Sequence, residues 1–158
     1  LKKLNMPKIR ATVFDVSGKV KYDIIRSSMS QYNKAVESGF YFEATTLIES
    51  LICDRLESRL GELTKDAVTF KTLSRLRKEL LKIENDDKLK SLVDVNVKTW
   101  SNNRNTTVHE AAKIALDKPR TWDKVVQEAQ ECAIAGRALF DEYNERLSQL
   151  RRLEISNK

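Results

Sequence analysis

The sequence predicts an all-α protein, a bundle of about five amphipathic helices. Only four glycines and two prolines interrupt the 158 residues, which favours long helices over many short strands. Apolar residues recur at spacings of three and four along most of the chain. A chain of this length is sufficient for one core. We therefore assign residues 17–158 to a single helical-bundle domain, preceded by an N-terminal arm over residues 1–16.

The arm contains Pro7 and a short β-prone run at residues 11–14, so it is expected to form an extended segment or a brief strand. The first helix is predicted to begin after Gly18. Its end is expected at Gly39, because glycine adopts the left-handed conformation that follows a helix without a Cβ penalty.

The second helix is predicted over residues 41–60, where a broad apolar stripe ends before Gly61. A third helix is expected over residues 69–84. The polar run that follows contains a candidate N-cap, and a fourth helical piece is predicted from residue 88 to residue 100.

The last part of the chain predicts two more helical stretches. One continues to about Leu116, and Pro119 prevents much further extension. Thr121 is a candidate cap for the last and longest helix. Trp122 is expected to begin an apolar stripe that continues through Val125, Val126, Ala129, Cys132, Ala133, Gly136, Leu139, Phe140, Tyr143, Leu147 and Leu150.

Charge and composition limit the classes of function. The net charge of +6 favours polyanions such as RNA through sequence-independent phosphate contacts. No run of about eighteen apolar residues exists, so the sequence predicts no membrane span. Cys53 and Cys132 lie on apolar helical stripes without zinc-like spacing, and the N-terminus lacks an apolar signal core. We expect a cytoplasmic protein that needs no metal and no cofactor.

The residues that best support a specific chemistry are Arg104, Asn105 and His109. His109 is the only histidine, and imidazole can transfer protons near neutral pH. The Arg104 guanidinium can bind a phosphate oxygen and stabilise transition-state charge. The Asn105 amide can orient either group. Together they predict cleavage of an RNA phosphodiester by attack of the 2′-hydroxyl.

The sequence allows two geometries for this site. Thr107 and Glu110 form a capping-box pattern, which would place His109 in the first turn of a new helix beside free backbone N–H groups. If the helix is instead continuous, Arg104 and His109 lie about 140° apart around it, from the repeat of about 3.6 residues.

An arginine in the second helix is a further candidate. Arg55 falls on the apolar stripe, and a buried arginine needs a partner. Glu49, Asp54, Glu57 or a neighbouring helix could supply one. Arg55 is then either half of a structural salt bridge or, with Asp54 and Glu49, a supporting group beside Arg104 and His109.

Arg104-Asn105, three further residues and His109 match the signature R-N-x-x-x-H, the shortest form of arginine, four to six residues, histidine. With the predicted bundle and the earlier helical stretch at residues 49–60, the chain resembles the HEPN family. The resemblance implies a metal-independent endoribonuclease that works as a dimer, often a toxin or an antiviral effector. It also implies a regulatory partner protein such as an antitoxin.

Two observations complete the prediction. A chain with one histidine can offer two proton-transfer groups only by pairing with itself, so a homodimer with a composite site is expected. Many HEPN relatives are inactive helical modules. The alternative is therefore a non-catalytic dimerisation, protein-interaction or RNA-binding module.

Overall fold

A computed structural model describes residues 18–66, 71–113 and 120–156, and in these residues every regular element is helical. The prediction of an all-α bundle is confirmed. The N-terminal arm predicted over residues 1–16 lies outside the described residues. The five helices are α1 (Gly18–Glu37), α2 (Tyr41–Thr64), α3 (Leu73–Ile83), α4 (residues 87–109) and α5 (Trp122–Ser156).

Helix α2 lies at the centre of the bundle. It packs against α1, α3 and α5, and α5 also contacts α4. Ile48, Leu56 and Leu76 are among the side chains of the core that are fully buried between these helices. No described helix contains an apolar stretch long enough to cross a membrane.

The junction between α1 and α2 forms as expected. Gly39 has a φ of +77°, the left-handed region that a Cβ disfavours. The N–H of Phe40 donates to the carbonyl of Ala35 at 2.7 Å, which satisfies one of the free carbonyls at the end of α1.

The predicted end of α2 before Gly61 is wrong, because the helix continues to Thr64. Gly61 is buried, and its carbonyl accepts a hydrogen bond from the N–H of Lys65 at 2.9 Å. Leu63 packs against the core in the added turn. A single glycine inside a helix costs only about 1 kcal/mol, which this packing can offset.

Helix α4 joins the predicted piece at residues 88–100 to the stretch that follows it, and it ends at His109 rather than near Leu116 as predicted. The helix runs without interruption through α-helical segments at Asp87–Ser91 and Lys98–Arg104 and π-helical segments at Leu92–Val97 and Asn105–His109. The residues on both sides of Leu92–Val97, and Arg104 and Asn105 at the junction with the second π segment, keep right-handed helical angles. The candidate catalytic residues therefore lie within one helix.

A buried ion pair fixes the turn between α3 and α4. Arg59 donates through Nε and Nη2 to the two carboxylate oxygens of Glu84, at 2.7 and 3.1 Å. Glu84 also accepts the backbone N–H groups of Asn85 and Asp86, at 2.9 and 3.0 Å. Asp86 caps α4 by accepting the N–H of Leu89 at 2.8 Å, as the polar run predicted.

Helix α5 begins at Trp122, and Thr121 caps it by accepting the N–H of Lys124 at 3.3 Å. Trp122 does not join the apolar stripe as predicted, because 63% of its surface is exposed. Further along α5, Gly136 lets the helix approach its neighbours closely. A Cβ there would lie 2.8 Å from Cγ2 of Ile48 and from the ring of Trp100.

We predict that Gly136→Ala destabilises the protein by about 2 kcal/mol, the usual cost of forcing an extra methyl into a packed core. Alanine favours a helix more than glycine does, so the same change at an uncrowded helical position would stabilise. Urea unfolding of the variant and parent measures the difference. A higher free energy of unfolding in the variant would contradict the close approach.

Glu84→Gln is expected to cost about 3 kcal/mol at neutral pH, because it leaves a buried arginine without its main partner. Burial raises the pKa of Glu84, but the Arg59 and backbone hydrogen bonds outweigh it and hold this pKa below its ordinary 4.5. The stabilisation by ionised Glu84 is therefore present above about pH 4.5 and lost as the pH falls through the folded-state pKa. The free-energy difference from the parent should shrink on acidification, as measured by urea unfolding from pH 7 to pH 3.

Glu57→Gln is the matched control for that titration. Burial is the main cause that raises the pKa of Glu57, so ionised Glu57 opposes folding at neutral pH. Its replacement should raise the free energy of unfolding at pH 7, with a gain that fades at low pH. A constant difference across the pH range for Glu84→Gln would refute its pKa shift.

Candidate functional site

Arg104 and His109 meet at the carboxyl end of α4. Nη1 of Arg104 lies 2.8 Å from Nε2 of His109. The π-helical segment Asn105–His109 explains the contact, since a π turn pairs residue i with residue i+5. The widened turn brings together two side chains that an ordinary α-helix would separate by about 140°. Of the two geometries the sequence allowed, the structure has the continuous helix.

This contact determines which ring nitrogen of neutral His109 carries the proton. A guanidinium has only donors, so Nε2 of His109 must accept from Nη1 of Arg104. Neutral His109 therefore carries its proton on Nδ1. His109 is exposed, so Nδ1 can reach a ligand.

Glu49 of α2 completes a group of three. Nη2 of Arg104 donates to the Glu49 carboxylate in an ion pair, and the two side chains are 13% and 22% exposed. Burial lowers the pKa of the Arg104 guanidinium, and the nearby Cys132 opposes this shift. Glu49 thus binds Arg104 on its partly buried side, while His109 is exposed to solvent.

No hydrogen bond or ion pair among the described residues joins the other predicted site residues to this group. Asn105 begins the π segment and is exposed, and its amide makes no hydrogen bond within the described residues. Arg55 lies six residues after Glu49, about 9 Å along α2. Its nearest charged partner is its neighbour Asp54, at 2.9 Å, and Asp54 also pairs with Lys21.

Arg55 is buried as predicted, with only 2% of its surface exposed. Burial lowers the pKa of Arg55, Asp54 raises it, and Arg151 of α5 lowers it further. Its Nε and Nη2 have no partner in hydrogen-bond geometry within the described residues, nor has the hydroxyl of Tyr143. Arg55 is thus buried among charged and polar groups of α2 and α5, and a supporting role beside Arg104 and His109 stays a prediction.

Of the two alternatives, the capping box at Thr107 is the one that the structure does not have. Thr107 is buried in the last turn of α4, and the helix ends rather than begins here. Glu110, with φ −109° and ψ 8°, is the first residue outside the helix. The backbone N–H groups expected to cradle a phosphate are consequently absent, since a helix carboxyl end presents carbonyls.

Two supporting contacts had no signal in the sequence. Nε1 of Trp100 donates to the carbonyl of Cys132 at 2.9 Å and so joins α4 to α5 beneath Arg104. Nη2 of Arg120 donates to the carbonyl of Glu110 at 3.2 Å, immediately after His109. Both contacts join polar atoms across a break between helices, which local periodicity does not encode.

Comparison of this chain with known protein families, curated proteins and solved structures finds no match. Among the described residues, no group of three or more histidine, cysteine, aspartate or glutamate side chains could hold a metal ion. The clearest indication of function is the contact of Glu49 with Arg104 and of Arg104 with His109, the two ends of the sequence motif.

The single histidine makes the Arg104 contact directly measurable. We predict that nitrogen-detected NMR of neutral His109 shows Nδ1 protonated and Nε2 bare, because Nε2 accepts from Arg104. Arg104→Ala should shift the tautomer population towards protonated Nε2. An unchanged imidazole spectrum in Arg104→Ala would contradict the contact, and Arg75→Ala, a change at an exposed arginine on α3, is the control.

Proposed function

We propose that this protein is a metal-independent endoribonuclease of the HEPN type, with Arg104 and His109 at its active site. The observation that supports this most is the 2.8 Å contact between the two side chains through a widened helical turn. A cation and a proton-transfer group within hydrogen-bond distance are what phosphodiester cleavage requires. The net charge of +6 favours an RNA substrate over a neutral one.

In the proposed reaction, the RNA 2′-oxygen forms a bond to the adjacent phosphorus and the bond from phosphorus to the 5′-oxygen breaks. One imidazole takes the 2′-hydroxyl proton, and a second group protonates the departing 5′-oxygen. Arg104 stabilises the charge that gathers on the non-bridging oxygens. The products are a 2′,3′-cyclic phosphate and a 5′-hydroxyl, and Asn105, exposed beside them, orients the phosphate.

Substrate binding and base activation are coupled in this arrangement. Nη1 of Arg104 donates to Nε2 of His109 in the free protein, so the lone pair that would accept a proton is occupied. A phosphate oxygen is a stronger acceptor for a guanidinium than an imidazole is. When Nη1 turns to the phosphate, Nε2 of His109 becomes free to act as base, and Glu49 keeps Nη2 in place.

Each chain supplies one histidine for two proton transfers. We therefore propose a homodimer in which His109 and Arg104 of both protomers share one cleft. A cytoplasmic toxin or antiviral effector, held in check by an antitoxin or other regulatory protein, is the biological setting that the HEPN resemblance implies.

One observation favours the alternative of a non-catalytic binding module. In the free protein, Arg104 already has two partners, Glu49 and His109, as a purely structural arginine would. In that case the three side chains hold the end of α4 against α2, and the exposed face docks a protein or RNA without cleaving it.

Cleavage in EDTA decides between the two functions. The parent should cut mixed-sequence RNA and leave cyclic-phosphate ends, while His109→Ala and Arg104→Ala should each lose at least about 100-fold in rate, the usual contribution of such groups. Glu49→Gln, which keeps the shape but not the charge beside Arg104, should lose less.

Arg75→Ala is the matched control, because it removes an equal charge from a side chain that is 69% exposed on α3. It should cut RNA like the parent. Analytical ultracentrifugation checks that each variant keeps the parent's mass. Cleavage that survives both His109→Ala and Arg104→Ala would refute this site. If neither the parent nor any variant cleaves RNA, the binding module is favoured.

A further inference from the structure

An exposed aromatic stack lies at the amino end of α5. The rings of Phe42 and Trp122 are stacked, with centroids 6.1 Å apart and planes inclined by 23°. Phe42 is half-buried and supports one face of the indole, while 63% of Trp122 remains exposed. An indole this exposed buries little apolar surface, so core stability does not account for it.

The stack lies at the same end of the bundle as Arg104 and His109. Phe42 precedes Glu49 by seven residues on α2, so both occupy one face of that helix, about 10 Å apart along its axis. Glu49 is paired directly with Arg104. The second link is Arg120, two residues before Trp122, which donates to the carbonyl of Glu110 just after His109.

Arg104 and the stacked ring of Trp122 together suit one type of ligand. Arg104 suits a phosphate, and a supported aromatic ring with one open face suits a nucleobase. Single-stranded RNA offers an unstacked base on the nucleotides that flank every phosphate, whereas a duplex keeps its bases stacked internally. Stacking accepts any base, so it requires no base-specific partner at Trp122.

We propose that Trp122, supported by Phe42, is a stacking site for a base of single-stranded RNA whose backbone phosphate binds at Arg104. This inference rests on the proposed function and names its substrate as unpaired RNA. Trp122 binds and positions the RNA, and it takes no part in proton transfer. The exposed surface of Trp122 is thus a substrate contact that the Arg104–His109 motif does not reveal.

The test uses a 12-nucleotide RNA with 2′-O-methyl groups, which has no free 2′-hydroxyl and cannot be cleaved by the proposed reaction. A second 12-mer has the same backbone without bases. Trp122→Ala should weaken binding of the first oligonucleotide about 10-fold, the usual scale for one stacked base, and leave binding of the abasic oligonucleotide unchanged. Trp122→Phe should restore most of the affinity.

Tryptophan fluorescence gives an independent readout. The protein has two tryptophans, and Trp100 is 4% exposed with its indole N–H bonded to a backbone carbonyl. Quenching by the base-containing RNA should therefore come from Trp122 and disappear in Trp122→Ala. Val95→Ala, at an exposed apolar residue elsewhere on α4, is the control and should bind as the parent does.

The outcomes distinguish a failure of the stacking site from a failure of the proposed nuclease function. If the parent cuts RNA but Trp122→Ala binds the 12-mer as tightly as the parent, the stacking site is refuted and the nuclease stands. If Trp122→Ala loses base-dependent binding while the parent never cuts, the stacking site stands without the nuclease. Equal losses with the abasic 12-mer, no RNA binding by the parent, or loss of self-association in Trp122→Ala would each overturn the proposal.

Discussion

The ion pair between Arg59 and Glu84 is the interaction on which the arrangement of this bundle depends. Arg59 binds Glu84 with two hydrogen bonds and also reaches Glu154, so one guanidinium joins α2, the α3–α4 turn and α5. A buried arginine is stable only when its charge and donors are satisfied. The same Glu84 carboxylate accepts the N–H groups at the turn before α4, which sets where that helix starts and which way it runs.

Ionic contacts hold α2 against both ends of α4, one through the α3–α4 turn and one directly. Glu84 meets Arg59 near the carboxyl end of α2, and Glu49 of the same helix meets Arg104 at the carboxyl end of α4. The two helices therefore run antiparallel. The first contact is buried, with both side chains under 5% exposed, and the second is partly open, at 13% and 22%. A buried pair suits a fixed role, and the partly open pair can hold Nη2 of Arg104 on Glu49 while Nη1 stays accessible to a ligand.

The helical bundle could be predicted because apolar periodicity and the glycine at residue 39 are local signals. Glu49, Arg104 and His109 could be named as candidates, and the structure brings these three together. Their geometry could not be predicted, because the capping-box pattern at Thr107 and a continuous helix suit the same residues. Trp122 was misassigned to the core since periodicity describes a helix face but not whether another helix covers its first turn.

The widened turn at residues 105–109 determines how this region tolerates changes in chain length. Residues four apart share a face of an α-helix and residues five apart do not, so the π turn compensates for one additional residue. Deleting Thr106 would reduce the spacing to four, and an ordinary α-helical turn would then bring Arg104 and His109 together. Because α4 ends at His109, no later part of that helix would be rotated. A one-residue deletion usually disrupts a helix severely. Here it would replace the i to i+5 hydrogen bonds of a π turn by the i to i+4 hydrogen bonds of an α turn.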